Sequence, residues 1–329
     1  TLAQDNYFNN FISDSFNVEF WFIIFALFAF ITILGGVKNG IERSSKIMMP
    51  ILVVLAIMVV IYSVTRPGAI EGVKYFLIPN FEDFSIMTIV AAMGQMFYSL
   101  SIAMGILYTY GSYLEKDVDI EKSTKQVELF DTAIAILAGL MVIPAVFAFS
   151  TEAAESLQAG PSLMFITLPK VFASMGAGTI AGILFFLLVF FAALTSAISL
   201  LETSVSSLSQ QFHISRNKAI VIMAFVMLAF GTTSCLGYGV WDFISIFGMA
   251  FLDFYDFLTN SIMMPIAALA TCILIIKVVG FQKIIDEVKI SSPFKREKMY
   301  VFFMKYLASF FLIIILLSSV ASVLGIISM

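Results

Sequence analysis

Eight apolar runs divide the chain, at about 19–37, 48–65, 84–109, 130–150, 178–208, 219–234, 243–276 and 300–327, with short polar stretches between them. Each reaches or approaches the ~20 residues that a helix needs to cross a bilayer. The runs are continuous, not ten-residue segments of alternating polarity, so they predict helices and not the strands of a barrel. The pattern therefore predicts an all-α polytopic membrane protein of about eight transmembrane helices. Between the fourth and fifth runs, the segment STEAAESLQAGPSLMFITLPKVFASMGAG is broken by Gly160-Pro161 and Pro169. It predicts an outer hairpin over about 150–177.

Polar residues inside the runs carry the chemistry. In GQMFYSLSIAMG, residues 94–105, Gln95 and Ser99 share a helix face, with Tyr98 and Ser101 beside them and Gly94 and Gly105 at the ends. Small and polar residues also line ordinary helix interfaces in membranes. Four polar groups and two glycines near the centre of one span predict instead an unwound helix whose freed backbone lines a polar cavity. In FFAALTSAISLLE, residues 190–202, Ala192, Thr195 and Ser196 share one face. Their oxygens suit a hard cation such as sodium, although Ser and Thr also bond back to their own helix. Asp131, Glu202 and Asp256 are acids within or beside apolar runs, each a functional candidate by its cost. Asp131 reads alternatively as a helix N-cap, and Asp256 as part of a solvated outer loop.

Charge sets the orientation. Lys38, Arg43 and Lys46, then Lys116, Lys122 and Lys125, then Arg216 and Lys218, then Lys277, Lys283, Lys289, Lys295, Arg296 and Lys298 occupy alternate loops. The opposite loops hold only Arg66, Lys74 and Lys170, so the first set is cytoplasmic. Of 329 residues, 60% are hydrophobic and 12% charged, against roughly 25% charged in soluble domains. A net charge of −4 offers no basic surface for nucleic acid. Cys235 and Cys272 have no metal-site spacing, and the one histidine, His213, lies in a polar loop, so the chain is not expected to be an enzyme. The polar opening TLAQDNYFNNFISDSF reads as the end of an outer loop, as in a piece of a longer protein.

GGVKNGIERSSKIMMP, GQMFYSLSIAMGILYTYGSYL, FFAALTSAISLLE and DFYDFLTN, in that order, resemble the neurotransmitter:sodium symporters in their bacterial amino-acid-transporting branch. The resemblance implies a leucine-transporter-type five-plus-five inverted repeat, with this chain supplying family helices four to eleven and lacking the first three. Residues 1–18 would then end an extracellular loop, 19–65 hold the last two helices of the first repeat, and 66–276 hold the second repeat. Residues 277–329 would form a cytoplasmic loop and a final helix.

By the same resemblance, Tyr98, Ser99, Ser101, Met104, Ser196 and Leu200 line an amino-acid pocket. Ser99 and Asp131 belong to one sodium site, and Ala192, Thr195 and Ser196 to a second. Gln95 and Asp131 fall where chloride-dependent relatives hold chloride, so that the Asp131 carboxylate replaces the anion. Tyr98 and Asp256 stand at the outer gate and Tyr110 and Tyr113 at the inner one. Gln210 sits where an acidic inner-gate partner is expected. The implied activity is sodium-coupled symport of an amino acid into the cell by alternating access, from a multi-pass position in the bacterial inner membrane. Met104 and Leu200 lean the substrate towards neutral, hydrophobic or aromatic side chains. No cofactor is expected beyond sodium as coupling ion. The expected partners are the amino acid, sodium and the lipid bilayer, with a homodimer left open. A non-transporting remnant of such a carrier and, further off, a membrane-embedded enzyme are the alternatives.

Overall fold

The computed structural model describes residues 6–82, 84–149, 161–174 and 176–323. Its helices are α1 (Tyr7–Ser13), α2 (Ser15–Leu34), α3 (Arg43–Val64), α4 (Ala69–Leu77), α5 (Ile86–Ser99), α6 (Ile106–Ser112), α7 (Ile120–Phe149), α8 (Leu168–Ser174), α9 (Gly178–Phe212), α10 (Arg216–Leu236), α11 (Phe251–Val279) and α12 (Phe281–Val288). The last, α13, consists of Glu297–Phe302, the π-helical Phe303–Ala308 and Ser309–Val323. Among the described residues seven helices are long and apolar enough to cross a membrane. The third apolar run supplies the shorter α5 and α6 in place of one helix, which accounts for the eighth span.

Two boundaries correct the pattern. The helix of the fourth run begins at Ile120, where Asp119 Oδ1 accepts the Lys122 N–H at 2.9 Å. Asp131 therefore lies about three turns inside α7 and is not its N-cap. The added turns, EKSTKQVELF, are polar but helix-forming, so hydropathy alone does not reveal them. The seventh run starts as irregular chain. Ile246 and Met249 exchange backbone hydrogen bonds of 3.0 Å around Phe247 (φ 54°) and Gly248 (φ 79°), and α11 begins at Phe251. Of the outer hairpin, the π-helical Leu163–Thr167 leading into α8 is described, whereas residues 150–160 and 175 lie outside the described residues. So do residues 1–5 of the outer loop and 324–329 at the chain's end.

The chain forms two compact units, residues 1–81 with 132–245, and residues 82–131 with 246–329. The core of the first joins Leu52, Leu55 and Val59 of α3 to Met141 and Val146 of α7, Phe172 of α8, and Ala181, Phe185 and Leu188 of α9. Lipid tails are as apolar as these side chains, so close packing rather than escape from water holds them together. The same unit contains a tight approach at the end of α2. A Cβ on Gly40 would lie 2.0 Å from the Thr32 carbonyl oxygen, which only glycine avoids.

The second unit packs Phe97 of α5 against Met264, Ala268 and Cys272 of α11 and Leu312 and Ile315 of α13. At its polar end the Lys295 N–H donates to Glu121 at 2.7 Å and Arg296 donates to Glu128 at 3.2 Å. These contacts tie the segment ahead of α13 to the first turns of α7.

Candidate substrate and ion site

The helical ladder stops at Ser99 and resumes at Ile106. Between them Ser101, Ala103 and Gly105 take left-handed φ values of 54°, 65° and 80°. Gly105 does so freely as the residue ahead of α6, whereas Ser101 and Ala103 each bear a strain of ~1 kcal/mol. Among the described residues the carbonyls of Leu100, Ile102, Ala103 and Met104 accept no backbone hydrogen bond. Backbone left open at membrane depth is tolerated only where protein, water or a ligand satisfies it. The break expected within residues 94–105 is thus present, over Leu100–Gly105.

Asp131 faces the end of α5. Ser99 Oγ donates to Asp131 Oδ1 at 2.7 Å, joining two residues 32 apart in the chain. A hydroxyl bond to a carboxylate is shorter and stronger than one between neutral groups. Gln95 lies one turn earlier on the same face of α5. Tyr98 is 49% exposed. Met104, expected on a substrate wall, is half-buried against the unit's core cluster together with Ile102 and Ala103. Beyond the break, the Tyr108 hydroxyl donates to Thr271 Oγ1 of α11 at 3.0 Å. The rings of Tyr110 and Tyr113 meet edge-on with centroids 6.4 Å apart. Asp256 sits within the helical turns of α11, not in a loop, and accepts the Asn260 side-chain amide at 2.5 Å.

The other unit holds the hydroxyl set on α9. Thr195 Oγ1 donates back to the carbonyls of Phe191 and Ala192, 3.0 Å from each. The back-bonding alternative is therefore what Thr195 adopts. It commits the hydroxyl proton and leaves the oxygen's lone pairs able to face a cation. Ser196 is exposed on the adjacent position, Leu200 is 43% exposed, and Gln210 is exposed near the helix end.

Glu202, one turn beyond Ser199, is fully buried. Its partner was not apparent from the sequence. Arg216, the first residue of α10, donates Nη1 to Oε1 at 2.8 Å and Nη2 to Oε2 at 2.6 Å. Nη2 also reaches the Ile33 carbonyl at 3.2 Å, so one guanidinium joins the end of α2 and the start of α10 to the last third of α9. In the sequence Arg216 reads as one more loop cation. The signal that would have found it is the cost of an unpaired carboxylate at Glu202.

The model of the Sodium:neurotransmitter symporter family matches residues 7–326. This chain belongs to that family. Its relatives include an uncharacterized sodium-dependent transporter, YhdH, of Bacillus subtilis, 34% identical over 93% of this chain and 66% of the relative. An uncharacterized sodium-dependent transporter of Haemophilus influenzae is 35% identical over 82% of this chain and 59% of the relative. The crystal structure of MhsT in complex with L-phenylalanine superposes with a TM-score of 0.83 and 35% identity, over 95% of this chain and 70% of that one. The chain spans 59–66% of the length of these two curated relatives. As a sodium:neurotransmitter symporter family member with seven long apolar helices among its described residues, it is a multi-pass protein of the bacterial plasma membrane.

Proposed function

We propose that the protein containing this chain carries a neutral, hydrophobic or aromatic amino acid into the cell, driven by sodium. The observation that carries the reading is the broken helix of residues 86–112, whose open carbonyls follow directly in the chain on Ser99, the donor to Asp131. Oxygen dipoles and a fixed carboxylate are what a desolvated sodium ion requires, and a helix break supplies them where α-helix cannot. Family membership supports sodium as the coupling ion. The phenylalanine bound by MhsT supports an amino acid of that type. The Thr195 and Ser196 oxygens, with the Ala192 carbonyl, form a second sodium site on α9. Asp131 supplies the negative charge that would otherwise come from chloride.

The test is uptake of labelled phenylalanine, leucine and tryptophan into proteoliposomes holding the full-length protein. An inward sodium gradient should concentrate at least one of them. Thr195→Val combined with Ser196→Ala should abolish the sodium-dependent part while leaving the protein folded. Unchanged sodium dependence in that variant would make the hydroxyls packing groups only.

A further inference from the structure

Helix α13 presents a second polar feature that sodium and substrate binding leave unused. Lys298 and Lys305 lie seven residues apart on it, with Phe302 and Tyr306 filling the same stripe. All four side chains are exposed, Phe302 at 52% and Tyr306 at 56%. Their two rings lie with centroids 5.6 Å apart, and the Lys305 Nζ rests 5.1 Å over the ring of Tyr306. Of the cations nearby, Lys289 pairs with Glu297 at 2.6 Å and Arg296 with Glu128 at 3.2 Å, whereas Lys283, in α12, and Lys295 lie outside α13. Lys298 and Lys305 form no ion pair among the described residues.

Depth is what makes the pair unusual. Lys305 lies eight residues, or ~12 Å, along a helix of membrane-crossing length. The helix is π-helical over Phe303–Ala308, a local widening often found at functional positions. A lysine at that depth extends its ammonium towards the headgroups. The segment between α11 and α13 carries four cations, Lys283, Lys289, Lys295 and Arg296, so this end faces the cytoplasm. Lys298 stands ~10 Å nearer the water, so two extended side chains can converge on one group at the boundary.

We infer that Lys298 and Lys305 hold the phosphate of one net-anionic phospholipid of the inner leaflet, with its acyl chains along Phe302 and Tyr306. Charge complementarity selects the occupant. Two ammonium groups with no carboxylate partner among the described residues favour a headgroup without a cation of its own and disfavour choline or ethanolamine. The apolar, aromatic remainder of the stripe fits a chain-bearing lipid, whereas a soluble phosphate would leave it exposed.

The test is native mass spectrometry of the full-length protein, released from membranes with equal phosphatidylglycerol and phosphatidylcholine. The wild type should retain one phosphatidylglycerol in clear preference, at roughly fivefold per lysine. Lys298→Gln with Lys305→Gln should bring the two lipids to equal retention, and Lys305→Arg should keep the preference. If the double variant does not elute as a folded species, the single variants carry the test, each losing at least about half of the preference. Equal retention by the wild type, or an unchanged preference in the glutamine variants, would reduce the lysines to groups that merely reach for water and would overturn the inference.

Discussion

Ala103 takes a φ of 65° in the middle of the helix break, a conformation that glycine adopts without strain. Its methyl packs against the Phe97–Met264 cluster, so the position sets contact against strain. For so small a side chain the backbone strain outweighs the contact. Ala103→Gly should raise the protein's stability by about 0.5–1 kcal/mol, read as a later midpoint in detergent denaturation. An earlier midpoint would mean that the methyl contacts outweigh the strain. The break itself was legible because Gln95, Tyr98, Ser99 and Ser101 crowd one apolar run. The three-turn depth of Asp131 was not legible, because the residues ahead of it are polar helix formers that leave no hydropathy signal.

At the scale of elements, the three-way junction of α2, α9 and α10 rests on Arg216 and Glu202. The carboxylate is fully buried, and the guanidinium meets it with two parallel bonds. Removing the cation leaves a buried charge unmatched, a loss of about 3–5 kcal/mol. Arg216→Gln should therefore destabilise the protein strongly, which its denaturation midpoint would show. Arg216→Gln with Glu202→Gln should recover a large part of that loss, because the uncompensated charge is gone. A double variant as unstable as the sum of the single ones would show that the two side chains act separately. The buried acid was legible in its apolar run, but its partner was not, since a cation between two spans looks like any positive-inside loop residue. The π-helical turns at Val37–Glu42, Phe257–Met263 and Phe303–Ala308 also escaped the pattern, because hydropathy marks where a run lies but not whether its hydrogen bonds close after four residues or five.

For the whole molecule, seven of the eight apolar runs correspond to long helices, and the eighth is the run whose polar centre predicted a break. The inverted-repeat division at residues 19–65 and 66–276 is a proposal that the family resemblance carries. Each compact unit holds its own set of candidate ligands: Ser99 and Asp131 in one, Ala192, Thr195 and Ser196 in the other. Charge is central to the proposed transport, because sodium in a low-dielectric cavity needs a fixed negative partner, and Asp131 is the carboxylate bound to Ser99. The most direct measurement is sodium-driven amino-acid uptake by the full-length protein with chloride present or replaced by gluconate. The wild type should transport equally in both, and Asp131→Ser should lose uptake in gluconate and regain it when chloride is returned. Robust uptake by Asp131→Ser without chloride would contradict a charge-balancing role for this carboxylate.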